Sequence, residues 1–317
     1  MRLFGLGGGK NEESPEAKAR QEASEQSLAS GGLPLNAIDR LREQASKQGT
    51  DAHFFTSDLS VNELALIHEV GFDPLGQVMG SSMYQVGWQY MPTGYYSSWG
   101  SSSAELAMLT HAFYEARHLA LGRLQQEAQL LGATGVVGVR LEHKKYEWGS
   151  ALLEFQAIGT AIRETDAPRP DERSRPFLSD LSGSDFWMLR QSGYRPVGIA
   201  VGNCTYYCIP GWSTRNATTG GIFGGGWVNQ ELTDYTQAVY TARALAMDRM
   251  EIEARSAGAI GVVGADIAVE VEPRHVDVNN APRLDMIYHF TAIGTAIAPW
   301  AGRWPVFDVK NLVSMQD

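Results

Sequence analysis

The sequence predicts an α+β protein of two tandem domains, and three observations carry that prediction. Residues 105–138 recur at 231–264 with a constant offset of 126, and 18 of those 34 positions are identical. A front block, Ser57-Asp58-Leu59-Ser60 running to Gly71, Pro74, Gly76 and Gly80, returns at offset 122 as Ser179-Asp180-Leu181-Ser182, Gly193, Pro196, Gly198 and Gly202. A closing block, Phe155 to Ile162, returns at offset 135 as Phe290 to Ile297. Because the offset grows only in steps, the extra residues of the second copy belong in surface loops. With 317 residues, 44% of them hydrophobic, the chain can bury two cores, one per repeat.

Taken in order, residues 1–52 read as a flexible polar leader with transient helix. They hold a glycine run, a Ser14-Pro15 helix start, a Gly31-Gly32 break and a short amphipathic piece from Ile38 to Gln44. The first domain is expected over 53–165, a linker over 166–177, the second domain over 178–300 and a tail over 301–317. Each copy opens with a short helix. Ser60 with Glu63 has the capping-box spacing, Ser182 with Asp185 is its weaker version, and Gly71 and Gly193 end these helices. A strand follows, from about Leu75 to Val86 and from Val197 to Ile209, and then a loop rich in glycine and aromatics, 88–103 and 210–229.

A long helix is predicted from about Ala104 to Leu131, with Leu106, Phe113, Leu121, Leu124 and Leu131 on one side of a 3.6-residue wheel. The second copy keeps that face with Leu232, Val239, Met247, Met250 and Ala257. Beside it runs a stripe of alanines at four-residue steps, Ala112, Ala116 and Ala120, repeated as Ala238, Ala242 and Ala246, which lets another element come close. Gly132 and Gly258 are left-handed caps, after which two strands close each unit, the last ending in Ile-Gly-Thr-Ala-Ile. One helix on a small antiparallel sheet leaves a sheet face uncovered, so a partner surface is expected.

Composition bounds the function. A formal charge of −10 and a pI near 5.2 argue against non-specific nucleic-acid binding, which needs a basic surface. Two cysteines cannot build a disulfide framework, the start lacks the apolar run of a signal peptide, and no stretch reaches the length of a membrane span. The expectation is a soluble, cytoplasmic protein.

With these residues in view, each copy resembles the YbjQ-like family of putative heavy-metal-binding domains. The resemblance rests on Ala116-Arg117 with Ala120, then Leu131-Gly132-Ala133-Thr134-Gly135-Val136-Val137-Gly138-Val139, then Phe155-Xaa-Ala-Xaa-Gly159-Thr160-Ala161. The second copy repeats it as Ala242-Arg243 with Ala246, Ala257-Gly258-Ala259-Ile260-Gly261-Val262-Val263-Gly264, and Phe290-Xaa-Ala-Xaa-Gly294-Thr295-Ala296. The resemblance implies a dodecin-like α+β subunit that assembles through its sheet edges into rings, typically pentamers. The leader, the Ser-Asp-Leu-Ser helices and the aromatic loops depart from the compact single-domain pattern.

The family name makes a divalent or soft metal ion the cofactor to look for. Cys204-Thr-Tyr-Tyr-Cys208 supplies soft ligands, yet along a strand four residues span about 13 Å, too far for one ion or a disulfide. The first copy has Ser82 and Val86 there, so the alternatives are small strand residues or a metal or redox site. His111, Glu115 and His118 lie at i, i+4 and i+7 on one stripe of the first long helix, within reach of a single ion or simply facing water. The second copy has Gln237, Thr241 and Ala244.

Both copies share Arg117 with Arg243, suited to bridging carbonyls or carboxylates of a neighbouring subunit or to binding a small anion. They also share Arg123–Glu127 and Arg249–Glu253, read as i, i+4 ion pairs. The aromatic loops hold Trp88, Tyr90, Tyr95, Tyr96 and Trp99 in one copy and Trp212, Phe223 and Trp227 in the other, as packing or as a surface for a protein or small ligand. No nucleophile elbow, His-Glu-Xaa-Xaa-His or shared carboxylate pair appears. The sequence therefore points to a non-enzymatic, ring-forming binding or scaffold protein; the alternatives are a metal or small-ligand carrier, and an unrecognised enzyme.

Overall fold

Two copies of one α+β unit make up the chain, stacked so that sheet and helix layers alternate. The computed structural model describes residues 14–50, 54–86, 103–146, 152–165, 168–171, 174–218, 229–278 and 281–300. In the first unit α3 (Val61–Glu69) leads to β1 (Phe72–Gln85), β2 (Ala104–Glu105), the long helix α4 (Ala107–Leu130), β3 (Gly135–Tyr146) and β4 (Leu152–Glu164). In the second, β5 (Phe177–Leu178) and α5 (Gly183–Gln191) precede β6 (Tyr194–Cys208), α6 (Trp212–Thr218), the long helix α7 (Thr233–Ser256), β7 (Gly261–Val278) and β8 (Ala281–Pro299).

Local chemistry sets these boundaries. Ser60 accepts from the Glu63 N–H while the Glu63 carboxylate takes the Ser60 N–H at 2.8 Å, closing the capping box on α3. Ser182 caps α5 through the Asp185 N–H. Gly71, Gly132, Gly193 and Gly258 take φ of 74–79°, the left-handed conformation that ends α3, α4, α5 and α7. In both β3 and β7 the strand register slips after the paired valines, and the glycine inside each slip, Gly138 or Gly264, has positive φ.

The first sheet has the order β1-β4-β3-β5 and the second β2-β6-β8-β7. Strand β4 pairs antiparallel with both β1 and β3, and β8 pairs antiparallel with both β6 and β7. Each long helix lies across its own sheet along the alanine stripe: Ala112, Ala116 and Ala120 are buried in α4, and Ala238, Ala242 and Ala246 in α7. The approach is so close that a Cβ on Gly80 would overlap the Ala120 carbonyl, and one on Gly202 the Ala246 carbonyl. Ser82 Oγ uses the same proximity to donate to the Ala116 carbonyl.

The two outermost short strands are exchanged. Strand β2 of the first unit pairs with β6 of the second, and β5 of the second pairs in parallel with β3 of the first. The backbone exchange continues beyond β5, where Gly138 N donates to Leu181 O and Val139 N to Ser179 O, at 2.8 and 2.9 Å. Helix α4 also lies on the outer face of the second sheet: Tyr207 and Ile287 are buried in the same cluster as Phe113, Leu121 and Leu124. The sheet face that a single unit leaves bare is thus covered, in the second unit, by the first unit's helix.

Residues 14–50 correct the expectation of a flexible leader. They form α1 (Pro15–Ala29) and α2 (Leu35–Ser46), and Leu33 and Leu41 are buried in the first unit's core. Composition hid this because few apolar residues are involved: a single turn of α2 delivers Leu41, which is 1% exposed.

Candidate functional site

The polar residues shared by the two repeats converge on the junction between the units, where α4 crosses β6. The Arg117 guanidinium, 2% exposed, donates through Nη2 to Glu253 Oε2 on α7 at 3.2 Å, and the Val201 N–H reaches the same oxygen at 3.4 Å. One turn back along α7, Arg249 grips the Glu105 carboxylate with both Nη atoms, at 2.7 and 2.8 Å, and also donates to the Asn203 carbonyl. Thr110 on α4 joins in, accepting from Asn203 Nδ2 through its carbonyl and from the Thr205 N–H through Oγ1, both at 3.0 Å.

These contacts correct the reading of Arg123–Glu127 and Arg249–Glu253 as i, i+4 pairs. Each arginine points along the sheet to a β1 or β6 carbonyl instead, Arg123 to Ser81 and Arg249 to Asn203. Each glutamate caps a strand N–H, Glu127 at Met79 and Glu253 at Val201. Helical spacing shows which charges are neighbours on a surface, but here the strand crossing below offers better-aligned partners.

Burial outweighs attraction at both ends of the Arg117–Glu253 pair. Desolvation holds the Arg117 pKa below its usual range, with Glu253 and Tyr114 opposing, while desolvation raises that of Glu253 against the pull of Arg117. Among the described residues, Arg117 Nε and Nη1 and Asn203 Oδ1 are buried without a hydrogen-bond partner, the guanidinium lying over the Tyr114 ring at 4.5 Å. They lie beside a cavity of about 110 Å³ whose lining includes His143, Phe155, Asp266 and Thr291. Phe113 fills the space between the sheets, edge-on to Phe155 at 5.9 Å and tilted against His289 at 5.7 Å. His143 closes the rim at 3.2 Å from Glu270. The arrangement can hold water or a small polar molecule that accepts from a guanidinium.

Arg243, at the matching repeat position, is exposed. The same contrast runs along the edge strands. Gly135 on β3 lies under the Phe177 ring, whereas a side chain at Gly261 on β7 would meet open space. Leu141 packs on the first core, whereas its counterpart Ile267 is 42% exposed, with Val269 and Val271 beside it at 41% and 52%.

The metal candidates fare differently. Cys204 and Cys208 both turn to the α7 side of β6 and are buried. Burial pushes the thiol of Cys204 up to about 12, with Glu105 adding to it, and that of Cys208 up to about 11. A thiol held protonated is a poor soft-metal ligand. On α4, His111 Nε2 stands 3.8 Å from Glu115 on an exposed surface. His118 turns away to stack edge-on with Tyr114, and its Nε2 lies 3.4 Å from Arg117 Nη2. Desolvation and then the Arg117 charge lower its pKa. Among the described residues no three His, Cys, Asp or Glu side chains gather to hold an ion. Among the described residues, Cys204, Cys208, His111, Glu115 and His118 do not come together as a metal centre. Replacing both cysteines by serine is expected to leave zinc and copper content unchanged, measured by elemental analysis of tag-free protein; stoichiometric metal lost in that variant would contradict this.

Trp212 opens α6 and is 79% exposed. Trp88, Trp99 and Trp227 lie outside the described residues. The sequence reading missed Glu105, Asn203 and Thr110 as junction residues, since none has a distinctive spacing. It also missed a buried trio at the far end of the second sheet, where Arg283 and the Tyr207 hydroxyl both donate to Asp285. Arg283 and Asp285, two apart on one strand, necessarily share a face, and that alternation was the available signal.

Among the described residues no helix is long and apolar enough to cross a membrane. Residues 98–165 and 219–298 match the model of a family described as "Putative heavy-metal-binding". An encapsulin nanocompartment protein of Mycobacterium tuberculosis is 43% identical over 218 residues, 68% of this chain and 78% of that protein. A UPF0145 protein of Clostridium perfringens is 40% identical over 63 residues, 20% of this chain and 58% of its own length, less than two thirds of that relative.

Proposed function

The chain belongs to the YbjQ-like family described as putative heavy-metal-binding, as a tandem member with an encapsulin nanocompartment relative, and from that premise we propose that it is a non-enzymatic, self-assembling scaffold subunit. One observation carries the reading: equivalent repeat surfaces, with Arg117 and Leu141 in one copy and Arg243 and Ile267 in the other, are covered in the first copy and exposed in the second. The face of α4 and the edge of β3 meet a neighbouring unit; the face of α7 and the edge of β7, with Arg243, Ile267, Val269 and Val271, do not. An exposed apolar edge strand is a template for pairing.

The complementary surface is on the first unit of another copy. Phe55 to Leu59 are the repeat counterparts of Phe177 to Leu181, and Ser57 and Asp58 already contact Thr160 as Ser179 and Asp180 contact Thr295. Val61, at the start of α3 where an α5 would dock, is 83% exposed. Repeating the internal junction head to tail is a heterologous association, which closes into a ring when the rotation allows. The family resemblance implies rings, typically pentamers, and five chains would supply ten domains as one ring or a stacked pair of rings, with Trp212 displayed repeatedly as a surface for a protein or small ligand.

Native mass spectrometry at micromolar concentration tests this. Multiples of the chain mass are expected, and a clean mass near 34.7 kDa would sink the reading. Small-ligand carriage is the second reading, favoured by the unpartnered Arg117 and Asn203 atoms around the junction cavity.

A further inference from the structure

We infer that the leader helices α1 and α2 are a resident cap on the surface of the first unit that receives α7 of a second copy. The inference rests on the head-to-tail reading above and adds a competitor to it. The two units carry the same acceptor, built from a glutamate and an arginine on the long helix and from the first strand beneath them. In the second unit Glu253 is met by Arg117, and Arg249 by the Glu105 carboxylate, both from the first unit. In the first unit Glu127 is met by Arg40 of α2 at 3.2 Å, and Arg123 donates to the carbonyls of Gly32 and Leu28 at 3.1 Å each. Charge for charge, Arg40 stands where a docked arginine would, and two leader carbonyls stand where a docked glutamate would.

The second copy has matching groups free to approach. Arg243 and Glu231 are the repeat counterparts of Arg117 and Glu105, and both are exposed. Around Glu127 the cap is less closely seated than the internal junction, although Leu33 and Leu41 anchor it elsewhere. Arg40 is 65% exposed where Arg117 is 2%, and a cavity of about 470 Å³ separates the leader from the first sheet at Met79 and Met83. Those two methionines, 48% and 65% exposed, occupy the sheet face that α4 covers in the second unit. Docking of α7 there competes with the leader, because α1 and α2 already cover Arg123 and Glu127 where the docked helix would lie.

Hydrogen exchange of the full chain across a concentration series, with mass measured in parallel, decides the matter for wild type, Arg243→Glu and Arg40→Glu. The expected result is that assembly grows with concentration while amides of α1 and α2 lose protection. Arg243→Glu should lower association, and Arg40→Glu, which repels Glu127, should tighten it several-fold. If Arg243→Glu abolishes assembly but leader protection does not change with concentration and Arg40→Glu does not tighten association, the cap is overturned and the head-to-tail reading stands. If Arg243→Glu assembles as wild type does, or if neither wild type nor Arg40→Glu assembles, both are overturned.

Discussion

Gly202→Val is expected to cost the second unit about 3 kcal/mol or more, the upper end of what overpacking costs, because the collision is with backbone and not with a side chain that could turn away. The Cβ would fall on the Ala246 carbonyl and crowd the Met250 N–H, so α7 must lift off its sheet along the whole alanine stripe. Lifting also separates Ala242 and Ala246 from β6 and β8, where they are fully buried. Gly80→Val should behave alike in the first unit, with Ala120 and Leu124 as the collision partners. Gly122, on the same helix but with open space at its Cβ, is the control: Gly122→Ala should stabilise by about 0.5–1 kcal/mol, since alanine restricts the unfolded chain and favours helix. Urea titrations of the three variants test the set, and a Gly202→Val chain as stable as wild type would refute the close-approach account.

That glycine–alanine contact was half legible in the sequence. Four-residue alanine steps announced a close neighbour, and the repeat offset tied Gly80 to Gly202, but nothing linear says that the glycine and the alanine stripe belong to the same crossing. The capping residues Ser60, Glu63 and Ser182 were fully legible because each acts on an N–H three residues away. The apolar side of the second long helix was not. Its buried residues are Tyr235, the alanines, Met250 and Ala254, while Leu232, Val239 and Met247 are only partly buried. A helix shared between two sheets, as α4 is, buries two sides, so its apolar periodicity blurs; α7 carries the repeat counterparts of those residues while lying on one sheet. The exchanged strands β2 and β5 were invisible for a simpler reason. Two-residue strands have no periodicity, and their partners lie in the other repeat.

Arg117→Ala should destabilise the protein by about 3–5 kcal/mol, the usual result of removing one partner from a buried ion pair. The pair itself contributes little net stability, since desolvation dominates the pKa of both groups. The cost of breaking it comes from what is left: a Glu253 carboxylate held at α7 with the Val201 N–H at 3.4 Å as its remaining contact. Replacing both partners together, as Arg117→Met with Glu253→Gln, should therefore recover most of the loss, which a double-mutant cycle in urea would read. The pH dependence has a definite sign. Glu253 already binds its proton more tightly in the folded state than the ordinary carboxylate value of 4.5, and loss of Arg117 raises its pKa further. A folded state that binds the proton more tightly gains stability as pH falls. The deficit of Arg117→Ala is thus largest at neutral pH and narrows toward pH 5, whereas a deficit independent of pH would mean that lost packing, and not a stranded carboxylate, is responsible. Arg243 supplies the internal comparison, being the same residue at the same repeat position without a neighbouring unit. Arg243→Ala should change the stability of the dilute chain by less than about 0.5 kcal/mol, as surface substitutions do, so that any larger effect appearing only as concentration rises reports a junction formed between chains.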